Sequence, residues 1–199
     1  MDERDFFDKL APIWDENETL SLPEKIREVI GYFDLKQGQA ILDLGTGTGV
    51  LLPYISEKIG ESGKLTAVDF SKGMLEIAQK KYKSLLPSPH FLNIDFEEET
   101  IEDEFDRIIL YCVFPHLHRP FDTIKWLERV NLKTNGKIFI AFPCSPDFIN
   151  SIHKERHSDS NVLPGAVELC KALQAVGLKA AVKADSDDLY IVEINKKCD

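Results

Sequence analysis

The sequence predicts an α/β fold, a single doubly wound domain around a seven-stranded, mostly parallel sheet. Three observations predict it. Short β-branched runs alternate with amphipathic helical windows along the chain. A glycine-rich segment, Gly45 to Gly49, lies between a strand pattern and a helix pattern. Two apolar runs near the C-terminus face each other across Asp185-Ser186-Asp187-Asp188 and read as an antiparallel hairpin.

The elements follow in order. Pro23 stands where a helix begins, and Ile26, Val29, Ile30 and Phe33 recur at helical spacing. Residues 40–44 read as a buried strand, and a helix follows the glycine segment over 50–59. A second strand covers 64–69. Met74, Leu75, Ala78, Tyr82 and Leu85 mark the apolar face of the next helix. Strands at 90–94 and 106–112 come next, then a helix carrying Ile124, Leu127 and Val130. Asn135-Gly136 reads as a turn into a fifth strand, 137–142. Residues 143–163 lack clear periodicity and read as a functional loop or lid. A helix with Leu169, Cys170, Leu173 and Val176 is stopped by Gly177, and the hairpin strands are 178–184 and 189–194.

Composition bounds the function. The 199 residues are 43% apolar and include twelve Phe, which excludes disorder as the main state and suits one domain over 1–199. The formal net charge is −10, so long-range repulsion opposes a phosphate backbone or an anionic membrane. Gln79-Lys80-Lys81-Tyr82-Lys83 is the one basic run of note and reads as a solvated helix face. No stretch approaches the roughly 18 apolar residues of a membrane span. The N-terminus, Met1-Asp2-Glu3-Arg4-Asp5, lacks the pattern of a secretory signal. Cys112, Cys144, Cys170 and Cys198 form no CxxC pair, so reduced thiols and a cytoplasmic location are expected.

The chemistry concentrates in Asp43-Leu44-Gly45-Thr46-Gly47-Thr48-Gly49. Glycine is needed where main chain turns with positive φ or where a ligand touches it. The helix beyond offers unpaired N–H groups to an anion. Asp69 ends the second strand, placed to accept hydrogen bonds from both hydroxyls of a ribose. A nucleoside cofactor follows. The dinucleotide pattern G-x-G-x-x-G/A fails at its third position, which is Val50, and this counts against a nicotinamide-dependent oxidoreductase.

Here the chain resembles the class I S-adenosylmethionine-dependent methyltransferases, a Rossmann-like family. Residues 43–49 resemble its first motif, and Val68-Asp69-Phe70-Ser71-Lys72-Gly73-Met74 its ribose-binding segment. Asn93-Ile94-Asp95-Phe96 is similar to the segment whose acid meets the adenine amino group, and Phe105–Tyr111 to the fourth strand. Leu132–Lys137 resembles the turn before strand five, with Asn135-Gly136 where Pro-Gly is usual. The hairpin fits the family's reversed last strand. The resemblance covers residues 22–142. Phe7–Asp15 is further similar to the leader of quinone-biosynthesis methyltransferases, where that segment folds over the cofactor.

The resemblance implies an S-adenosylmethionine-dependent methyltransferase with S-adenosylhomocysteine as product, acting on a small-molecule acceptor by in-line displacement. A cofactor-binding protein without catalysis is the alternative. Expected cofactor contacts are Asp43, Gly45, Thr46, Gly47, Gly49, Asp69, Phe70, Met74, Asp95, Phe96 and Tyr111. Phe96 is open between stacking on adenine and filling the core, and Met74 between pocket and core. Phe6, Phe7 and Trp14 anchor an otherwise charged leader, residues 1–21, read equally as core packing or as a lid.

Four histidines follow strand ends, where ligands bind in parallel sheets. His116 is nearest strand four and is the candidate general base. Phe6, Trp14, His118 and His153 are candidate acceptor contacts. If residues 153–157 are helical, His153 and His157 share a face. Ordinary loop histidines and a histidine metal site remain alternatives, and no metal is expected on balance. Cys144 reads as an unactivated thiol. Cys112-Val113-Phe114-Pro115 lacks the Asp/Asn-Pro-Pro-aromatic motif of enzymes that methylate nucleic-acid amino groups.

Overall fold

The computed structural model describes residues 3–17, 22–156 and 161–196. Seven strands form a sheet in the order β3-β2-β1-β4-β5-β7-β6. They are β1 (Ala40–Leu44), β2 (Lys64–Asp69), β3 (His90–Asn93), β4 (Phe105–Tyr111), β5 (Leu132–Phe142), β6 (Lys179–Asp185) and β7 (Tyr190–Asn195). β7 runs antiparallel to both β5 and β6, whereas β1 with β2, β2 with β3, and β4 with β5 are parallel. Fold class and reversed C-terminal strand match the sequence expectation. Packing divides the chain into two compact units, Met1–Ile101 and Glu102–Asp199.

The first unit carries the leader helices α1 (Glu3–Leu10) and α2 (Trp14–Asn17), joined by a 3₁₀ turn over Ala11–Ile13. Then come α3 (Pro23–Tyr32), α4 (Leu52–Ile59) and α5 (Lys72–Tyr82). Each of these three buries one apolar stripe. Ile26, Val29 and Ile30 do so on α3, Leu52, Ile55 and Ile59 on α4, and Met74, Leu75 and Ala78 on α5. β1 is buried along its whole length, as expected of a strand covered on both faces. The parallel register pairs Leu44 with Val68 and Asp69 with Asn93. The carboxyl ends of three strands therefore meet at one edge, which is what positions the site.

The second unit adds α6 (Pro120–Trp126), continued by one π turn over Leu127–Asn131, then α7 (Pro146–Arg156) and α8 (Ala166–Ala175). Its core is Ile138 to Phe142 of β5, Tyr190 to Val192 of β7, and Leu169 and Leu173 of α8.

Two elements depart from the sequence reading. Residues 143–163 were expected to be irregular, yet they carry α7. Ser145 caps this helix, its hydroxyl accepting the Phe148 N–H at 3.3 Å, and Pro146 opens it. Its apolar positions are too few to show a period in sequence, but Ile149 is buried. β5 begins at Leu132 and not after Asn135-Gly136. Leu132 pairs with Phe105 and Lys137 with Arg107, so the Asn-Gly pair lies in a bulge inside the strand. Asn135 sits there at φ 62°, in the left-handed region that Asn tolerates.

The bulge makes a test. Asn135→Gly should leave stability within about 0.5 kcal/mol, whereas Asn135→Val should cost about 1–2 kcal/mol, because a β-branched residue resists that φ. Urea unfolding of the two variants checks the difference.

Candidate active site

The glycine turn is built by backbone geometry. Gly45, Gly47 and Gly49 all have positive φ. The N–H groups of Gly45 and Thr46 both donate to Val68 O at 2.8 Å, which folds the turn back onto β2. Gly49 and Gly47 are glycine for different reasons. A Cβ on Gly49 would lie 2.8 Å from the Tyr82 ring and 2.9 Å from Leu52, so α5 and α4 pack against that position. A Cβ on Gly47 would meet nothing within 4 Å. Gly47 thus presents bare main chain to open space, as a ligand cradle requires.

Asp69 holds the turn from below. Its Oδ2 accepts the Gly47 N–H at 2.7 Å and its Oδ1 accepts the Ser71 N–H at 2.8 Å. The side chain is 5% exposed. Behind it, the Asn93 side-chain amide donates to Asp69 O at 2.9 Å and Phe70 O at 3.1 Å. Ser71 caps α5, its hydroxyl accepting the Met74 N–H at 3.2 Å. A carboxylate oxygen accepts more than one hydrogen bond, which suits an acid at this position to a vicinal diol.

Asp43 lies beside this group at 2% exposure. Its Oδ2 accepts the Thr46 hydroxyl at 2.7 Å. Burial pushes the Asp43 carboxyl up to about 7, with the Asp69 charge adding to the rise and the Thr46 hydrogen bond opposing it.

The other expected contacts in this unit are placed as follows. Phe70 has its ring edge-on to Phe7, with centroids 5.8 Å apart, and the Arg4 guanidinium 5.9 Å above it. Met74 is buried in α5. Asp95 Oδ1 accepts the Glu97 N–H at 3.1 Å, and Oδ2 is 3.7 Å from the Arg4 guanidinium. Phe96 is half-buried. Of the leader aromatics, Phe7 contacts both Phe6, at 5.4 Å, and Trp14, at 5.7 Å.

Sequence reasoning missed Asp8, Asp15 and Lys81. Asp8 Oδ1 accepts the Ser71 hydroxyl at 2.6 Å and the Gly73 N–H at 2.8 Å. Asp15 Oδ1 accepts the Thr48 hydroxyl at 2.6 Å, and Oδ2 lies 2.5 Å from Lys81 Nζ. The available signal was thin: Asp8 and Asp15 are two of several acids in a charged leader. Lys81 belonged to a run that reads as mere solvated surface.

In the second unit, Tyr111 is buried at the end of β4 and Cys112 follows at φ 58°. A 3₁₀ turn over Phe114–His116 presents His116. The His116 and His153 rings lie 4.9 Å apart, with planes tilted by 43°. Two asparagines set this meeting. The Asn161 amide donates to Leu117 O at 2.6 Å, and the Asn161 N–H to Pro115 O at 3.1 Å. Asn150 on α7 accepts the Leu163 N–H at 2.8 Å and donates to Leu163 O at 2.9 Å. His118 is exposed. His157 and Cys198 lie outside the described residues. Among the described residues no cluster of three or more His, Cys, Asp or Glu is arranged to hold a metal ion. Among the described residues Cys112, Cys144 and Cys170 form no disulfide with one another, and no helix is long and apolar enough to cross a membrane.

A glycine turn cradled by a buried acid at the ends of parallel strands defines a nucleoside-cofactor domain. Comparison with known proteins makes it specific. The Methyltransferase domain family matches residues 41–136. A 2-phytyl-1,4-naphtoquinone methyltransferase of Trichormus variabilis is 31% identical over 148 residues, 69% of this chain and 62% of the relative. A Malonyl-[acyl-carrier protein] O-methyltransferase of Priestia megaterium is 35% identical over 60% of this chain and 40% of the relative. The chain thus spans about two fifths to three fifths of the length of these relatives. The crystal structure of a SAM dependent methyltransferase from Aquifex aeolicus superimposes with a TM-score of 0.75 at 25% identity, covering 96% of this chain and 98% of that one. Residues 41–136 carry a methyltransferase domain, and the chain is similar to class I S-adenosylmethionine-dependent methyltransferases, whose cofactor is S-adenosylmethionine.

Two outcomes test the cradle. The native state keeps a proton on Asp43 up to about pH 7, whereas an unfolded carboxyl loses it near 3.8. Its contribution to stability is full below about pH 4 and is lost as pH rises toward 7. Asp43→Asn should flatten the stability profile across that window and exceed wild type at pH 8, by an amount on the order of a few kcal/mol. Thermal melts from pH 4 to 8 read this directly. Gly49→Ala should cost about 2–3 kcal/mol in urea titrations, from the strained φ and the overlap with Tyr82.

Proposed function

We propose that this protein transfers the methyl group of S-adenosylmethionine to a small-molecule acceptor. The observation that carries the reading is the Gly47–Asp69–Ser71 bridge, with open space above Gly47. Its donors and acceptors suit the cofactor. Asp69 has acceptor capacity for a ribose diol, and the turn gives main chain to the methionine portion. Gly45, Thr46, Gly47, Gly49 and Phe70 line the same turn and strand end. Asp43, Met74, Asp95, Phe96 and Tyr111 complete the proposed set of cofactor contacts. The bound sulfonium supplies an already activated methyl group, so the protein's part is alignment and exclusion of water.

Where the acceptor atom carries a proton, as in a hydroxyl, thiol, amine or activated carbon, that proton leaves as the new bond forms. His116 is proposed to take that proton, with His153 at its side as an acceptor contact. Phe6 and Trp14 of the leader, and the exposed His118, are the further proposed acceptor contacts. A protein of net charge −10 favours a small acceptor over nucleic acid. The relatives above are named for a 2-phytyl-1,4-naphtoquinone and for a malonyl-[acyl-carrier protein], so relatedness alone does not choose the methylated atom.

The first test is a melting-temperature shift. S-adenosylhomocysteine at about 100 times its dissociation constant should stabilise the fold by roughly 2.7 kcal/mol, a rise of about 5–10 °C, with no rise from NAD(H). A rise with NAD(H) alone would overturn the cofactor assignment. Binding without methyl transfer to any acceptor, across a screen with labelled donor, would favour a non-catalytic binding protein. For an acceptor found that way, His116→Ala should lower the rate about 10²–10⁴-fold and alter the pH profile. An unchanged profile would remove His116 from the mechanism.

A further inference from the structure

We propose that the leader is a strap latched across the cofactor cradle by two carboxylates, Asp8 and Asp15, and that these latches set how fast the cofactor product leaves. This rests on the cofactor reading of the Gly45–Gly49 turn and Asp69 given above.

The leader is held in an unusual way. α1 buries no residue fully, and the turn after it buries only Ala11. An element with so little buried apolar surface opens at low free energy. Its Asp8, Asp15 and Arg4 contacts converge on the cradle. Asp15 takes the hydroxyl of Thr48, the residue between Gly47 and Gly49. Lys81 ties the two together, with Nζ 2.5 Å from Asp15 Oδ2 and 3.4 Å from Thr48 O. Asp8 takes the Ser71 hydroxyl and the Gly73 N–H, directly beyond Asp69 and Phe70. Arg4 pairs with Asp95 and covers Phe70. Phe7 packs edge-on against Phe70. The leader thus grips the glycine turn, the ribose-side strand end and the adenine-side acid in turn.

Electrostatics agree with the geometry. The Ser71 hydroxyl, against an opposing cost of burial, and then the Gly73 N–H hold the Asp8 carboxyl below the usual range. Burial pushes Asp15 up, but the Lys81 and Thr48 hydrogen bonds outweigh it and hold that carboxyl low. Both latches are carboxylates at neutral pH, and hydrogen bonds to charged groups are the stronger kind.

Gly73 shows how closely the strap lies. A Cβ there would come 3.2 Å from Asp8 O, 3.2 Å from Asp8 Oδ1 and 3.3 Å from the Ala11 Cβ. Alanine favours the helix more than glycine does. Gly73→Ala should therefore loosen the leader while supporting α5, separating unlatching from unfolding. Asp8 and Asp15 are positioning residues, since each acts through the residue it grips.

The experiment follows dissociation of S-adenosylhomocysteine by stopped-flow displacement, for wild type, Asp8→Asn, Asp15→Asn and Gly73→Ala. Each variant should release the ligand roughly tenfold faster, with the melting temperature of the ligand-free protein little changed. In wild type the ligand should also slow tryptic cleavage after Lys9, and this protection should be lost in an Asp8→Asn, Asp15→Asn double variant. Asp69→Asn, checked for folding by circular dichroism, controls the underlying reading and should lose binding. If wild type does not bind, or folded Asp69→Asn binds as well as wild type, the cofactor reading fails. If Asp69→Asn loses binding while the latch variants release within twofold of wild type, the latch proposal fails alone. Leader cleavage that is indifferent to bound ligand also overturns it.

Discussion

One carboxylate, Asp69, organises the first unit of this protein. Main-chain N–H groups from two separate segments, Gly47 after β1 and Ser71 before α5, converge on its two oxygens. The glycine turn has three residues of positive φ and few side chains to hold it. Without a buried acceptor its conformation would have little to select it. The parallel register of β1, β2 and β3 makes the convergence possible, since it brings the strand ends to one edge. Asn93 on β3 then braces the carbonyls on the far side.

That arrangement places two acids close together in the interior. Burial, with a smaller push from the Asp69 charge, raises the Asp43 carboxyl to about 7, while Asp69 takes up main-chain donors. The Thr46 hydroxyl gives Asp43 a partner in either state. The leader meets a similar problem differently. Asp8 and Asp15 stay charged because hydroxyls, an N–H and Lys81 surround them. Burial thus favours a proton on Asp43, whereas hydrogen bonds keep Asp8 and Asp15 charged.

Much of the fold was legible in sequence because parallel-sheet strands are continuous apolar runs and their helices carry one apolar stripe. Most predicted bounds fall within two residues of the observed ones. β5 departs because Asn-Gly serves equally a turn or a bulge, and only pairing with Phe105 and Arg107 decides between them. α7 was missed because capping by Ser145 and the asparagine contacts to Leu163 support a helix of weak periodicity. In the candidate site, the glycine turn and Asp69 were legible from residue type and spacing, and Asp43 from the resemblance of residues 43–49 to the family's first motif. Asn93 stood inside a quoted motif, but its bracing role appears only with the β2–β3 pairing.

What the sequence alone determined is the local part: a strand ending in glycines, an acid ending the next strand, and a net charge of −10. Those follow from backbone sterics and charge, which are properties of neighbours along the chain. Only the tertiary structure decided that Gly49 is glycine for Tyr82 while Gly47 faces open space. It alone brought His153 to His116 across 37 residues, and Asp15 to Thr48 across 33. Such contacts depend on packing between distant segments, and no periodicity in a single chain encodes them.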